Sequence, residues 1–316
     1  MTKKIAFLFP GQGSQSVGML NAFKTNSATA SLYTTAALEA EQALGQNLAA
    51  LIEQGPAESL NLTTNTQPAM LMADVLVLRA WLAAGGSAPD LVAGHSLGEY
   101  AALVAAGVFS FSEGLGLVRI RAQAMQEAVP VGVGGMAAIL GLDAQAVKAG
   151  CAQAAAEVGE AVEAVNFNDP KQTVIAGTKA AVEKACEVLK AAGAKRALPL
   201  PVSAPFHSSL MKPAAERLMQ QLAATPFAAP GIPVINNIDV AAVDEPQAIR
   251  DALYRQAFGP VRWVETVQAL KARGLTHVFE CGPGKVLAGM IKRIDADLIT
   301  ATVLDPATLQ DVKGML

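Results

Sequence analysis

Short apolar segments that run directly into turns or helices constrain the fold of this chain most strongly. Four of them, "KIAFLFP", "DLVAGHS", "IPVINNI" and "THVFECG", each precede a turn or a helical pattern. Strands that alternate with helices in this way are typical of a mostly parallel sheet covered by helices. We therefore predict a main domain of the α/β class.

The stretch from residue 132 to residue 202 has a different pattern. "GMAAILGL" precedes a helical pattern from Asp143 to about Val158; "AVEAVNFN" and "QTVIAGT" follow, and a helical pattern from Lys179 to Ala192 precedes "AKRALPLPV". The order strand, helix, strand, strand, helix, strand is that of the ferredoxin-like, split βαβ unit. We predict a small ferredoxin-like subdomain at 132–202, inserted into a main subdomain formed by 1–131 and 203–316.

Composition bounds the class of protein. A chain of 316 residues that is 52% hydrophobic and 16% charged can bury a large core, and its net charge of −3 gives no general attraction to nucleic acid or anionic membranes. The apolar part of "MTKKIAFLFPGQGSQ" is too short for a signal peptide. The cysteines are widely spaced and form no metal-binding pattern, so we expect reduced thiols in a cytoplasmic protein.

A Gly-His-Ser-Leu-Gly sequence at residues 94–98 joins a predicted strand to a predicted helix. This is the G-x-S-x-G pattern in the strand–turn–helix context of a nucleophile elbow. The sharp turn requires small residues at Gly94 and Gly98, and it presents the oxygen of Ser96 above the sheet. The amide of Leu97, at the helix N-terminus, can then stabilise an oxyanion. The alternative is a glycine-rich turn in which Ser96 only caps the helix.

A serine nucleophile needs a general base, and the chain has three histidines. His95 adjoins Ser96 in a sharp turn that points its side chain away, so we expect it to be a packing residue. His277 begins a predicted strand and is expected to be a partly exposed structural residue. His207 lies in "LPVSAPFHSSLM", a loop that returns to the domain junction, where sites tend to form. By elimination His207 is the predicted base, and since no carboxylate stands out we predict a Ser–His dyad.

Two other features are candidates for the same site. "FLFPGQGSQ" ends a strand and exposes backbone amides around Gln12, so it can supply a second oxyanion donor or be a plain turn. In the predicted helix at residues 112–128, Arg119 lies on the polar arc and Arg121 among apolar residues. Arg121 is therefore a snorkelling or salt-bridged residue, or a guanidinium directed into a pocket to bind a carboxylate.

Several long motifs occur in the order found in one family. They are "FPGQGSQ", "GHSLGEYAAL", the arginine 25 residues after the serine, "MQEAVP", "VNFNDP", "APFHSSLM", "YRQAFGPVRW" and "ECGPGKVL". Over essentially its whole length the chain resembles the malonyl-CoA:acyl-carrier-protein transacylases of bacterial fatty-acid synthesis. This resemblance implies a large α/β-hydrolase-like subdomain and a small ferredoxin-like one.

The resemblance also implies roles for individual residues. Ser96 would take the malonyl group as an ester, and His207 would activate first the serine and then the acceptor thiol. Gln256, in "YRQAFGP", would mark the loop that holds His207 through a carbonyl, which would explain the missing acid. Arg121 would pair with the free carboxylate of malonyl. The remaining implied positions are the oxyanion-hole amides of Gln12 and Leu97 and the pocket residues Met125, Phe206 and Asn168.

The implied reaction moves malonyl from malonyl-CoA to the phosphopantetheine thiol of an acyl carrier protein through a malonyl-serine intermediate. A thioester is already activated, so neither a metal nor a redox cofactor is expected. The alternatives are a serine thioesterase or esterase with the same dyad, and a non-catalytic acyl-binding module. Within the transacylases, methylmalonyl or acetyl could replace malonyl.

A docking surface for the carrier protein, which is acidic in this family, is also predicted. Lys285, Lys292 and Arg293 share one face of the predicted helix "KVLAGMIKRI". Opposite charge on this face would steer the carrier toward the enzyme. The alternative is a solvated face of an amphipathic helix.

Overall fold

A computed structural model describes residues 3–130, 132–202 and 204–316. Residues 1, 2, 131 and 203, which belong to the predicted main subdomain, lie outside the described residues. The strands are β1 (Ile5–Phe9), β2 (Leu91–Gly94), β3 (Gly134–Leu140), β4 (Val162–Asp169), β5 (Gln172–Thr178), β6 (Arg196–Pro199), β7 (Val234–Ile235), β8 (His277–Cys281) and β9 (Ile299–Val303).

The helices lie before, between and after these strands. They are α1 (Asn21–Thr25), α2 (Ala30–Leu44), α3 (Leu48–Gln54), α4 (Ala57–Leu60), α5 (Thr63–Ala83), α6 (Gly98–Ala105), α7 (Phe111–Glu127), α8 (Ala144–Val158), α9 (Lys179–Ala191), α10 (Lys212–Ala224), α11 (Pro246–Phe258), α12 (Trp263–Ala272), α13 (Val286–Ile294) and α14 (Pro306–Gly314). A short 3-10 helix covers Ser209–Met211.

The main sheet is parallel, with the strand order β7-β2-β1-β8-β9. β1, β2 and β8 are buried along their whole length, as their apolar sequences predict. All four strands that the sequence predicts for this sheet are present. The patterns missed β9, because this edge strand has the sequence ITATV and exposes Ile299, so it has no continuous apolar run.

Alternating side chains of the central strands enter two different cores. Phe7 and Phe9 of β1 belong to the larger core, together with residues of α5, α6 and α7. Ala6 and Leu8 belong to a second core with residues of α12 and α13. Successive side chains of a strand point to opposite faces, so helices cover the sheet on both sides.

The stretch from β3 to β6 forms a separate antiparallel sheet with the order β4-β5-β3-β6. The predicted order of elements in this stretch, β3-α8-β4-β5-α9-β6, is the observed order. Asp143, where the first helical pattern was predicted to begin, is the N-cap of α8 and accepts a hydrogen bond from the Ala146 amide. One face of the sheet packs on α8 and α9. The opposite face carries Met136 and Val174, and Phe206 of the main part of the chain packs against their cluster.

Two features are absent from the part of the chain that the structure describes. No helix there has both the length and the hydropathy needed to cross a membrane. The same residues contain no cluster of three or more His, Cys, Asp or Glu side chains suited to a metal ion.

Candidate active site

The serine turn between β2 and α6 is tightly packed. Ser96 has a φ of 53°, a left-handed conformation that is uncommon outside glycine. A Cβ atom on Gly94 would lie 1.9 Å from the backbone carbon of Gly98, and one on Gly98 would lie 2.0 Å from the carbonyl oxygen of Phe9. A side chain at either position would therefore force the backbone to shift, which is the reason that the sequence pattern requires small residues there.

The hydroxyl of Ser96 faces the predicted base. Ser96 Oγ lies 2.6 Å from Nε2 of His207. The N-cap residue of α6 is Leu97, and among the described residues no side chain caps this helix. The interpretation of Ser96 as a helix cap is therefore wrong.

His207 is buried, and backbone carbonyls fix its orientation. Its Nδ1 lies 2.9 Å from the carbonyl oxygen of Gln256 and 3.2 Å from that of Gly259. These carbonyls can only accept, so Nδ1 carries the proton and Nε2 presents a lone pair to Ser96. Burial first, and the positive charge of Arg121 next, lower the pKa of His207 to about 3. The base is therefore neutral near pH 7.

Gln256 does not lie in a loop, as we expected, but in the last turn of α11. The last carbonyls of a helix have no partner within the helix, so they are free to accept from His207. Its side chain has further contacts: Nε2 donates to the carbonyl oxygen of Ser96 at 2.9 Å, and Oε1 accepts from Arg121 at 3.1 Å. Gln256 thus contacts all three of the predicted nucleophile, base and carboxylate-binding residues.

The other two histidines are not part of the Ser96–His207 pair. His95 packs against the ring of Trp263 with the ring centres 5.2 Å apart, and its Nε2 lies 2.8 Å from Oδ1 of Asn168. His277 is buried rather than partly exposed, because β8 is an interior strand and not an edge; its Nδ1 lies 2.8 Å from Oγ1 of Thr276.

Arg121 is 2% exposed, and its guanidinium is directed at the serine. Nη1 donates to Oε1 of Gln67 at 2.8 Å, and Nη2 donates to Oγ of Ser96 and to Oε1 of Gln256, both at 3.1 Å. The guanidinium also lies over the ring of Tyr100 at 5.5 Å. Within the described residues its Nε has no hydrogen-bond partner. This cation neither snorkels to solvent nor forms a salt bridge within those residues, and it keeps one buried donor free.

The two predicted oxyanion donors lie on adjoining segments. A Cβ atom on Gly11 would lie 2.5 Å from the carbonyl oxygen of His95 and 3.7 Å from the amide of Leu97, so the loop after β1 packs directly on the serine turn. Neither the Leu97 amide nor the Gln12 amide donates to an acceptor in the described parts of the chain. The side chain of Gln12 is held by Oγ1 of Thr63 at 2.8 Å.

A cavity of about 120 Å³ brings most of the predicted residues together. Asn168 is not among its lining residues, contrary to our expectation. It lies at an irregularity of β4 between Phe167 and Asp169, and its side chain binds His95 instead. The predicted residues that line the cavity are Gln12, Ser96, Leu97, Arg121, Met125, Phe206 and His207.

Sequence reasoning missed three buried polar residues beside the site. Asn237 accepts from the Ser96 amide through Oδ1 and donates to the Gly94 carbonyl through Nδ2, both at 2.7 Å. Glu99 accepts from the amide of Asn237 at 2.9 Å. Gln67, which holds Arg121, is also buried. The signal for Asn237 is its place two residues after the end of β7, at the edge where α/β sheets carry their sites.

The basic face of α13 is smaller than the sequence predicts. Nε of Arg293 lies 2.6 Å from the carboxylate of Asp169 in β4, so this cation is paired with the small sheet. Lys285, the N-cap of α13, and Lys292 line one groove against β9 and α14. The side chain of Arg293 stays half-exposed, but its charge is compensated by Asp169, so the two lysines are the cations of this face without such a pairing among the described residues.

Comparisons with known proteins agree with this geometry. The family model of the acyl transferase domain matches residues 6–306. The malonyl CoA-acyl carrier protein transacylase of Salmonella typhimurium is 53% identical over 307 residues, which are 97% of this chain and 97% of the relative. A crystal structure of an acyl-carrier-protein S-malonyltransferase from Burkholderia pseudomallei is 63% identical with a TM-score of 0.95, covering 98% of this chain and 99% of that one.

A solved complex also matches this chain over nearly its whole length. It is described as a type II PKS acyl-carrier protein in complex with its malonyl-transacylase, and it is 48% identical with a TM-score of 0.96. The match covers 99% of this chain and 100% of that one. Both the family model and the relatives span nearly the whole chain, so this protein belongs to the acyl transferase family.

Proposed function

We propose that this enzyme transfers a malonyl group from malonyl-CoA to the phosphopantetheine thiol of acyl carrier protein, in support of fatty-acid chain extension. The observation that carries the proposal is the buried guanidinium of Arg121, 3.1 Å from Ser96 Oγ and with an unpartnered Nε among the described residues. A buried cation with a free donor beside a nucleophile suits an acyl group that ends in a carboxylate. The names of the relatives support the same donor and acceptor.

The first half-reaction would load the serine. Ser96 Oγ attacks the thioester carbonyl while its proton moves to Nε2 of His207, 2.6 Å away. The amides of Gln12 and Leu97 would stabilise the oxyanion, because neither has another acceptor among the described residues. Collapse of the tetrahedral intermediate returns the proton to the leaving coenzyme A thiolate.

The second half-reaction would use the same groups in reverse. The thiol of the carrier gives its proton to His207 and attacks the malonyl ester, and Ser96 Oγ takes the proton back as it leaves. The carbonyls of Gln256 and Gly259 keep His207 in the required tautomer throughout. The reaction needs neither metal nor redox cofactor, because both the donor and the product are thioesters.

Two residues would shape the acyl pocket. Met125 lies near Gln67, which holds Arg121, and Phe206 precedes the base. The ring of Phe206 would crowd an α-methyl branch, so we propose that malonyl is preferred to methylmalonyl. A single methyl group changes discrimination by only about 1–3 kcal/mol.

We further propose that the main part of the chain, 1–131 and 203–316, is an α/β-hydrolase-like subdomain and that 132–202 is a ferredoxin-like one. The strand order β4-β5-β3-β6 supports the second assignment, since it places the first and third strands of the βαββαβ unit in the centre. Free thiols at Cys151, Cys186 and Cys281 support a reducing compartment, the cytoplasm.

The acidic carrier would dock on the groove beside α13. Lys285 and Lys292 are exposed there, whereas Arg293 is paired with Asp169. The two lysines would increase the rate constant for association with the carrier, and this increase would become smaller as the salt concentration rises.

Intact-mass measurement tests the function. After mixing with malonyl-CoA, the natural chain should carry a malonyl adduct that the Ser96→Ala variant lacks. Addition of holo-carrier protein should move the adduct to the carrier faster than water removes it. Rapid loss of the adduct to water alone would favour the thioesterase alternative, and the absence of an adduct would favour a non-catalytic acyl-binding module.

A further inference from the structure

We propose that Glu99 is a positioning residue for malonyl selection: it balances the charge of Arg121 in the empty site and takes up a proton when a malonyl carboxylate binds to that arginine. The inference rests on the proposed function and extends it to the charge state of the site.

Glu99 is connected to Arg121 through one amide side chain. Glu99 lies in the first turn of α6 and is 2% exposed. Its Oε2 accepts from Nε2 of Gln256 at 3.0 Å and from the amide of Asn237 at 2.9 Å. Oε1 of the same Gln256 accepts from Nη2 of Arg121 at 3.1 Å. A buried anion and a buried cation thus share one hydrogen-bonded bridge.

Among the described titratable groups around Glu99, Arg121 is the one whose positive charge stabilises the ionised carboxylate. From α7, the guanidinium of Arg121 favours the ionised carboxylate, whereas Asp239, in the loop after β7, disfavours it. The charge of Asp239 is itself taken up by Arg255 at 2.7 Å. Tyr100, beside Glu99 on α6, has its pKa raised by burial and stays neutral. His207, which Arg121 also influences, is neutral near pH 7 because burial lowers its pKa.

A bound malonyl group would add a second negative charge beside Arg121. Its carboxylate would pair with Arg121 directly, so two anions would then share one guanidinium. A second anion nearby favours the neutral form of a carboxyl group. Burial already raises the pKa of Glu99 to about 7. A further rise of this pKa on malonyl binding would therefore protonate Glu99 in the neutral to mildly basic range. A proton from solvent on Oε1 would leave Oε2 able to keep its contacts with Gln256 and Asn237, so the site would retain its shape.

An acetyl group brings no charge to the pocket and should cause no such uptake. Proton uptake is linked to affinity, so malonyl binding should weaken as pH rises through the range in which Glu99 is ionised in the empty enzyme. One full proton corresponds to about a tenfold loss of affinity per pH unit. The difference between the two thioesters therefore isolates the effect, since both carry the same coenzyme A phosphates.

The test is calorimetric titration of the full-length Ser96→Ala variant with malonyl-CoA and acetyl-CoA, in two buffers of different ionisation enthalpy, from pH 6 to pH 9. We expect the malonyl-minus-acetyl proton uptake to be small at pH 6, to reach no more than about one half at pH 7, and to be largest near pH 8, because only the ionised fraction of Glu99 can take up a proton. Equal proton uptake for both thioesters across this range would overturn the inference, and the Ser96→Ala variant alone is enough to show it.

A second variant assigns the proton to its residue. Adding Glu99→Gln to Ser96→Ala should abolish the malonyl-specific uptake and make the malonyl affinity independent of pH in this range. Asp239→Asn is the matched control, since it removes the other acid that acts on Glu99 and should retain the uptake. Malonyl-specific uptake that persists with Glu99→Gln would overturn the assignment. A failure of malonyl-CoA to bind at all would overturn the proposed function together with this inference, whereas binding without uptake would overturn the inference alone.

Discussion

Replacing Arg121 with alanine should change which acyl group the enzyme accepts. The guanidinium is 2% exposed and held by Gln67 and Gln256, so it is positioned before substrate arrives. Charge-assisted hydrogen bonds contribute roughly 1.5–3 kcal/mol each, and a bidentate pair contains two. With about 1.4 kcal/mol per factor of ten, Arg121→Ala should lower malonyl transfer at least about 100-fold.

Acetyl loading should remain the same or increase in this variant, because the Ser96–His207 contact, the carbonyls that hold His207 and the oxyanion amides all remain when the guanidinium is removed. The assay compares initial rates of serine acylation with malonyl-CoA and acetyl-CoA on one preparation, near pH 8. Arg121 lowers the pKa of His207, so its removal raises that pKa, and pH 8 keeps the base neutral in both proteins.

Arg119→Ala provides the matched control. Its Nη2 donates to Oε1 of Gln46 at 2.5 Å, and it does not line the cavity. This variant should leave the malonyl-to-acetyl ratio unchanged. An equal fall for both substrates in Arg121→Ala would show that the arginine is structural, and the carboxylate would then have to be recognised by another group.

Three other predictions follow from the same geometry. His207→Ala should fold but lose about 100- to 10,000-fold in acylation rate. In the natural protein the acylation rate should begin to fall on the acid side only well below pH 6.5, because the pKa of His207 is lowered to about 3. A near-natural rate in the variant, or a fall at pH 6.5 in the natural protein, would contradict these assignments. Lys285→Glu with Lys292→Glu should slow the carrier half-reaction at low salt but not malonyl loading, and an unchanged carrier rate would exclude the docking face. Gly98→Ala should lower the free energy of unfolding, measured in urea, by about 1–3 kcal/mol or more, since its Cβ would lie 2.0 Å from a carbonyl oxygen. Gly116→Ala is the control: a Cβ there meets nothing within 4 Å, so the free energy of unfolding should rise by about 0.5–1 kcal/mol. Equal effects of the two substitutions would refute the packing argument.

The sequence alone determined the features that depend on local pattern. Apolar segments followed by helices indicated the parallel sheet, and the order of elements from residue 132 to residue 202 indicated a separate α+β unit. The serine turn could be predicted from the sequence because its close packing requires glycine at Gly94 and Gly98. These features are encoded by residues close together in the chain, where periodicity and turn chemistry act directly.

Tertiary structure decided every pairing between distant residues. Ser96 and His207 are 111 positions apart, and Arg121 and Gln256 are 135 apart. The helical pattern left the role of Arg121 open, because it shows which arc a side chain occupies but not what lies opposite. For the same reason it could not show that Arg293 is paired with Asp169. Partners of this kind depend on where the folded chain returns, since a buried polar group must satisfy its hydrogen bonds with whatever the fold brings beside it.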